Sequence, residues 1–328
     1  MHWGRFMQHE RFDPKYLDAG ISTFLKDMAQ GEGGPISAAP IADIRQLFAA
    51  LAAQLEAPTD ELASVTNMTI SGTEIDIPVR VYVPASAKAN GGALVFYHGG
   101  GWTIGDLETH DALCRRLAHH SGAKVFSVEY RLAPEHPFPA AIDDAMAAYN
   151  WIRTQAARFE IDPKCIAVGG DSAGGNLAAV VSNQMIGSGI GPAFQLLIYP
   201  ATQLAGSTLS REFLGEGYFL SAADMLFFGQ QYLPDLSEAL QPKASPLLQE
   251  DLSGAPPALI ITAGFDPLCD EGMAYGEKLR RAGTAVEEIH APSMIHGFFN
   301  FTALSPTALS IVEDAARKLG QALKIPSS

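Results

Sequence analysis

The sequence predicts an α/β fold, with a mostly parallel sheet flanked by helices on both faces. From about residue 65 onward, short apolar runs rich in β-branched residues alternate with longer segments of helical periodicity. Several of these runs, such as residues 93–97, are continuously apolar, which is typical of strands buried on both faces. The chain has 328 residues, of which 47% are hydrophobic and 18% charged, so it can bury a large core.

Two helices are predicted ahead of the sheet. Asp13 and Pro14 suit the N-cap and first turn of the first helix, and apolar residues then follow at helical spacing over residues 17–28. A break rich in glycine at residues 31–35 ends this helix. The second helix carries its apolar residues on one face over residues 41–55.

The remaining segments alternate as a parallel sheet with right-handed crossovers requires. The predicted strands cover residues 69–83, 93–97, 125–130, 165–168, 194–200, 258–262 and 285–290. The predicted helices cover residues 107–120, 140–159, 177–185, 272–281 and 306–323.

Residues 201–255 interrupt this alternation, because they hold many aromatic residues and no clear strand. We interpret them as a helical cap insertion, and residues 1–60 as an N-terminal helical cap segment. Residues 61–200 and 256–328 then form the main α/β domain. An ordinary surface insertion with its own small core is the alternative for residues 201–255.

Charge and composition exclude several classes of partner. The net charge of 22 − 36 = −14 disfavours binding to nucleic acid or to anionic membranes. There is no run of about 18 apolar residues, so no membrane span is expected. The first ten residues lack the apolar core of a signal peptide. The odd number of cysteines, Cys114, Cys165 and Cys269, without C-x-x-C spacing predicts a reducing, cytoplasmic location.

Residues 170–174 read GDSAG, which matches the pattern G-x-S-x-G. A predicted strand precedes this pentapeptide and a predicted helix follows it, which is the setting of a nucleophile elbow. The sharp turn holds the serine in a strained backbone conformation and requires small neighbours. We therefore predict that Ser172 is a nucleophile. A glycine-rich loop is the alternative for the bare pentapeptide, and the flanking elements argue against it.

A second motif, HGGGW at residues 98–102, directly follows the predicted strand 93–97. The backbone N–H groups of Gly99 and Gly100, with that of Ala173 after the serine, are predicted to bind a developing oxyanion. His98 is expected to support this loop rather than to react.

A nucleophilic serine needs a base and an acid that orients the base. Among nine histidines, His296 is favoured because it lies in a loop beyond the last predicted strand and satisfies the chain order Ser, Asp, His. His290, at the end of that strand, is the weaker candidate. Asp266 leaves the end of the strand 258–262 and is the favoured acid, with an N-cap as its alternative role.

Two further carboxylates follow Asp266. Asp270 is the second candidate for the acid. Asp270 and Glu271 lie nearer the following helix, where solvated or capping positions are expected. Asp171, beside the serine, is not expected to be the triad acid.

Taken together, these motifs resemble the hormone-sensitive-lipase-like family of α/β-hydrolases, in its bacterial carboxylesterase branch. The matching segments are HGGGW at 98–102, YRLAPEHPFPA at 130–140, GDSAGGN at 170–176, DPLCD at 266–270 and HGF at 296–298. The resemblance implies the α/β-hydrolase fold with a helical cap. It also implies a carboxylic-ester hydrolase that forms an acyl-enzyme, acts on short- to medium-chain acyl esters and requires no metal or cofactor. The site residues that it implies are Ser172, Asp266 and His296, with Gly99, Gly100 and Ala173 at the oxyanion.

Two other functions stay open at this point. An amidase or peptidase would use the same triad. A non-catalytic receptor for a small ligand shares the fold but lacks the histidine, so the presence of His296 disfavours it. Trp102 and the aromatic segment 213–232, including Phe219, are candidates for the wall of an apolar pocket, with cap core as the alternative. The sequence leaves the oligomeric state open, and a homodimer is one of the states that it allows.

Overall fold

The computed structural model describes residues 12–30 and 39–324, so the predicted break at 31–35 lies outside the described residues. Eight strands form one sheet. They are β1 Ser64–Ser71, β2 Asp76–Val83, β3 Gly91–Tyr97, β4 Lys124–Val128, β5 Ile161–Asp171, β6 Phe194–Ile198, β7 Ala258–Phe265 and β8 Val286–Ile295. The α-helices are α1 Ala19–Gln30, α2 Ile41–Leu55, α3 Asp111–Ser121, α4 Ala140–Thr154, α5 Ala173–Gln184, α6 Leu209–Leu214, α7 Ala222–Tyr232, α8 Cys269–Arg281 and α9 Pro306–Ala322.

The sheet has the strand order β1-β2-β4-β3-β5-β6-β7-β8. The strands from β4 to β8 run parallel in that order, whereas β2 pairs antiparallel with both β1 and β4. Every residue of β4, β6 and β7 is buried, as expected where helices cover both faces. The predicted α/β fold is thereby confirmed. No helix in the described part of the chain is long and apolar enough to cross a membrane.

Two local predictions were wrong. The single strand predicted at residues 69–83 is a hairpin, β1 and β2, because the polar run after Ser71 turns the chain and Gly72 donates its N–H to the carbonyl of Ile75. Asp13 caps only a 3-10 turn at Pro14–Tyr16. The N-terminus of α1 is capped instead by Asp18, whose carboxylate accepts the N–H of Gly20 at 2.9 Å.

Described residues of both regions interpreted as cap line one cavity at the carboxyl ends of the parallel strands. Residues 201–255, all of them described, contain α6, α7 and two 3-10 helices and no strand. Helix α2 is anchored by Arg45, whose guanidinium donates to the carbonyls of Thr103 at 2.9 Å and Ala133 at 3.0 Å. This contact holds α2 against the loop that follows β3.

Candidate active site

Ser172 occupies a sharp turn between β5 and α5. Its backbone has φ 55° and ψ −115°, a conformation that is strained for a residue with a Cβ. The neighbouring glycines make the turn sterically feasible, since a Cβ on Gly174 would lie 1.8 Å from the carbonyl oxygen of Tyr97. The Ser172 N–H donates to the carbonyl of Ile198 at 2.9 Å, which fixes the turn to β6. The strand, turn and helix predicted around the pentapeptide are all present.

Asp266 and His296 are brought together by the register of two strands. Phe265 of β7 pairs with Ile295 of β8, so the residues that follow leave the sheet at the same level. His296 Nδ1 lies 2.8 Å from Asp266 Oδ2, and His296 Nε2 lies 2.9 Å from Ser172 Oγ. Asp266 is fully buried, and its Oδ1 accepts the N–H of Leu268 at 2.8 Å. The three side chains form one continuous chain of hydrogen-bond distances.

The weaker candidates lie elsewhere. β8 continues beyond the predicted end, so His290 is a mid-strand residue whose Nδ1 lies 3.0 Å from Thr262 Oγ1. Asp270 Oδ2 accepts the N–H of Ser210 at 2.8 Å. Glu271 was expected at a solvated or capping position, and this was wrong because its side chain is not exposed to solvent. It is buried, accepts the N–H of Thr202 at 2.9 Å and lies 2.6 Å from a guanidinium nitrogen of Arg211.

The glycine loop after β3 differs in one respect from the sequence prediction. The Gly99 N–H donates to Asp171 Oδ1 at 2.8 Å, so it points into the protein and not toward a substrate. Gly100 and Gly101 line the cavity beside Ser172, and within residues 12–30 and 39–324 no acceptor is found for their N–H groups. The Ala173 N–H belongs to the first turn of α5, where backbone donors lack an intrahelical partner.

Asp171 is the centre of a second buried network. Its carboxylate lies 3.2 Å from His110 Nε2, and His110 Nδ1 lies 2.9 Å from Thr109 Oγ1. Burial by itself raises the pKa of Asp171, but His110 and the Gly99 N–H outweigh that effect and hold the pKa below its ordinary value. This network ties the glycine loop to the residue that precedes the serine.

His98 stacks on the ring of Tyr130 at 4.3 Å, and the Tyr130 hydroxyl donates to the His98 carbonyl at 2.7 Å. Burial, together with the neighbouring His110, lowers the pKa of His98 to about 4, so its ring is neutral at physiological pH. A neutral ring packed on Tyr130 suits the supporting role that the sequence predicted for it.

Ser172 opens into a cavity of about 860 Å³. Its wall is mostly apolar and comes from α1, α2, the insertion and the loops at the carboxyl ends of the strands. The apolar residues include Met28, Phe48, Leu51, Leu220, Met225, Leu226, Phe228, Leu233, Leu268 and Phe301. Among the described residues, no group of three or more metal-ligating side chains lies in this site.

Trp102 and Phe219 both line the cavity. The Trp102 ring also stacks on Tyr232 at 4.3 Å, so it is part of the cap core as well as of the wall. Phe219 packs edge-on against Phe301 at 5.0 Å. Each residue therefore combines a place in the cavity wall with an aromatic packing contact.

Gly101 and Asp171 are functional candidates that the sequence reasoning missed. Gly101 has φ 57°, and a Cβ there would lie 2.4 Å from the ring of Phe228, so only glycine fits. The third glycine of the HGGGW motif was the available signal for Gly101. No local signal identified the Asp171 contact, because it depends on the pairing of Tyr97 in β3 with Gly170 in β5.

A family model described as "alpha/beta hydrolase fold" matches residues 94–300. The chain therefore belongs to the α/β-hydrolase family, in the hormone-sensitive-lipase-like branch that the motifs indicated.

Curated relatives name an activity. The chain is 48% identical to "Carboxylic ester hydrolase LipN" of Mycobacterium tuberculosis over 247 residues, which span 73% of this chain and 65% of that protein. It is 44% identical to "Carboxylesterase NlhH" of the same species over 252 residues, 76% of this chain and 79% of that protein. It is 36% identical to "Ethyl acetate hydrolase" of Pseudomonas putida over 308 residues, 91% and 95% of the two chains.

Solved structures agree with this assignment. An ester hydrolase from the Lake Arreo metagenome, in complex with a derivative of bipyridine phosphonate, superposes with a TM-score of 0.90 at 42% identity, covering 93% of this chain and 98% of that chain. An esterase from Pyrobaculum calidifontis superposes with a TM-score of 0.86 at 38% identity, with the same coverage. The protein is a carboxylesterase-type hydrolase.

Proposed function

We propose that Ser172, His296 and Asp266 hydrolyse carboxylic esters through an acyl-enzyme. The neutral imidazole of His296 takes the proton of the Ser172 hydroxyl while the serine oxygen attacks the ester carbonyl. The carboxylate of Asp266 orients the ring and stabilises the imidazolium that forms. The imidazolium then protonates the leaving alcohol. A water molecule next attacks the acyl-enzyme with His296 as its base, which releases the carboxylic acid and the free serine. The contacts of His296 with Ser172 and Asp266, at 2.9 and 2.8 Å, carry this proposal.

The N–H groups of Gly100, Gly101 and Ala173 bind the oxyanion in this proposal. Gly101 replaces Gly99 of the sequence prediction, because the Gly99 N–H is already taken by Asp171. Donors held rigidly before the reaction stabilise the developing charge without reorganisation, and a single one is worth about 10²–10³ in rate. The role of Gly99 is to hold the loop through Asp171.

The substrates are esters with short- to medium-chain acyl groups. The cavity of about 860 Å³ has the size of a small-molecule site, and its wall favours apolar substituents. Residues 1–60 and 201–255 form the cap in this proposal, since helix α2 and the insertion supply much of that wall. The remaining residues, 61–200 and 256–328, form the catalytic domain.

A series of nitrophenyl esters from acetate to palmitate tests the substrate class. We expect kcat/KM to be highest for short or medium chains and to fall steeply toward palmitate. The matching acyl anilides separate an esterase from an amidase, because comparable turnover of anilide and ester would favour the amidase.

A serine-directed phosphonate tests the residue assignment. It should label Ser172, and the Ser172→Ala variant should take up no label. Labelling of a different serine, or none in the wild-type protein, would contradict the proposed nucleophile.

We propose a cytoplasmic location, since none of Cys114, Cys165 and Cys269 forms a disulfide bond. Cell fractionation tests the location. Light scattering in solution decides between a monomer and a homodimer.

A further inference from the structure

A second group of chemically active side chains lies outside the active site. Asp60, in the segment between α2 and β1, meets His119 and His120 at the C-terminal end of α3. One carboxylate oxygen of Asp60 lies 3.4 Å from His120 Nε2, and the other lies 4.0 Å from His119 Nε2. The proposed ester hydrolysis does not use any of these groups.

A fourth ligand group approaches from α9. Glu313 Oε1 lies 3.9 Å from His120 Nε2, while the other oxygen of Glu313 accepts from Arg317 at 3.4 Å. The oxygen that faces His120 is therefore distinct from the one that binds the arginine. Two imidazoles and two carboxylates thus converge from three separate parts of the chain.

We propose that Asp60, His119, His120 and Glu313 bind one divalent transition-metal ion, with zinc as the best-suited metal. Imidazole nitrogen and carboxylate oxygen are common zinc donors. In a tetrahedral zinc site with bonds of about 2.0–2.2 Å, neighbouring donor atoms lie about 3.4 Å apart. The Asp60–His120 separation already equals that value at 3.4 Å, and the 4.0 Å separation of Asp60 from His119 needs a small side-chain rotation. The donor atoms of Asp60, His119 and His120 all lie within 4.8 Å of one another, whereas Glu313, 3.9 Å from His120, lies outside that group and must rotate further to complete the site.

The surroundings also favour a cation. The site lies at the C-terminal end of α3, where the helix dipole is negative. The side chains of Asp60 and His119 are 45% and 43% exposed, so an ion can enter and the ligands can rotate. Those of His120 and Glu313 are 21% and 31% exposed and are more firmly held by packing.

The ion would fasten the end of the cap segment to the main domain. Arg116 of α3 already binds this stretch of chain, with its guanidinium 2.7 Å from Glu56 and donating to the carbonyls of Ala57 and Pro58. A metal bound through Asp60 adds a second attachment shortly after it. We therefore expect a structural ion that stabilises the fold and takes no part in ester hydrolysis.

Isothermal titration of the metal-free protein with zinc chloride tests the proposal. The wild-type protein should bind one zinc ion that the His119→Asn/His120→Asn double variant does not bind. The single variants Asp60→Asn and Glu313→Gln should each weaken binding by at least about tenfold. His136→Asn, at an exposed histidine outside the cluster, is the matched control and should bind as the wild type does.

Thermal unfolding supplies the second readout. Saturating zinc should raise Tm by a few degrees in the wild type and in His136→Asn, but not in the double variant. Zinc binding that persists in the double variant, or no stoichiometric binding in the wild type, would overturn the proposal. If the double variant does not fold, the two single carboxylate variants decide the question by the same titration. Ester turnover, measured in parallel, reports on the triad separately.

Discussion

The structure contains two buried histidine–aspartate pairs near Ser172, and they differ in what the histidine contacts. His296 Nδ1 lies 2.8 Å from Asp266, and its other nitrogen lies 2.9 Å from the serine hydroxyl. His110 Nε2 lies 3.2 Å from Asp171, and its other nitrogen lies 2.9 Å from Thr109 Oγ1. The same residue types therefore have different roles, because the second ring nitrogen reaches the Ser172 hydroxyl in His296 but reaches Thr109 in His110.

The aspartates differ in a matching way. One carboxylate oxygen of Asp266 contacts His296, and the other accepts the N–H of Leu268. One carboxylate oxygen of Asp171 accepts the N–H of Gly99 and thereby holds the glycine loop. In the proposed mechanism the first pair moves a proton, whereas the second holds backbone donors in place. The variants below test this division, in order of decreasing effect.

The largest loss is expected for the residues that are proposed to react. Ser172→Ala and His296→Asn should each lower kcat by about 10⁶, because the acyl-enzyme cannot form without the nucleophile or its base. Steady-state turnover of a short-chain nitrophenyl ester measures this loss. His290→Asn is the control and should keep near-normal turnover, and a large loss there would contradict the choice of His296.

Asp266→Asn should lower kcat by about 10⁴, since an amide holds the imidazole in the wrong tautomer and does not stabilise the imidazolium. Asp270→Asn changes the neighbouring carboxylate in the same way and should have a much smaller effect on turnover. Equal losses in the two variants would remove the distinction between the triad acid and its neighbour.

Asp171→Ala should lower kcat by about 10–10², no more than the loss of one oxyanion donor. KM should change little, because the loop positions donors that act mainly in the transition state. Asp171→Asn keeps an acceptor for the Gly99 N–H and should recover most of the rate. A loss as large as that of Asp266→Asn would mean that the second pair takes part in the chemistry.

A third buried carboxylate, Glu271, is expected to affect the pH dependence of stability. Burial raises the pKa of Glu271 to about 7, even though Arg211 and two backbone N–H groups oppose the shift. Because the folded-state pKa is the higher one, the stability from this group is present below the unfolded pKa and is lost as pH rises through about 7.

The free energy of unfolding, measured in denaturant at pH 5 and pH 8, tests this effect. Relative to Glu271→Gln, the wild type should lose up to about 3 kcal/mol of unfolding free energy between pH 5 and pH 8. A pH-independent difference would contradict the raised pKa.

Much of the fold could be predicted from local patterns. Continuous apolar runs such as β3 and β7 are buried on both faces, and their bounds lie close to those predicted. The hairpin of β1 and β2 was missed, since each half has the alternation of a strand and the polar turn between them is short. Helix α3 begins at Asp111, four residues after the predicted start at residue 107.

The sequence by itself determined the type of chemistry. Each of the G-x-S-x-G and HGGG motifs is a continuous run of residues. Its position at a strand end and its need for glycine can therefore be predicted from the local sequence. Only the tertiary structure decided that the Gly99 N–H donates to Asp171 while Gly100 and Gly101 line the cavity, because that depends on β3 pairing with β5 and on Asp171 reaching Gly99. Likewise, the contact of Asp266 with His296 follows from the pairing of Phe265 with Ile295. Motifs specify which groups are present, and strand register specifies which of them meet.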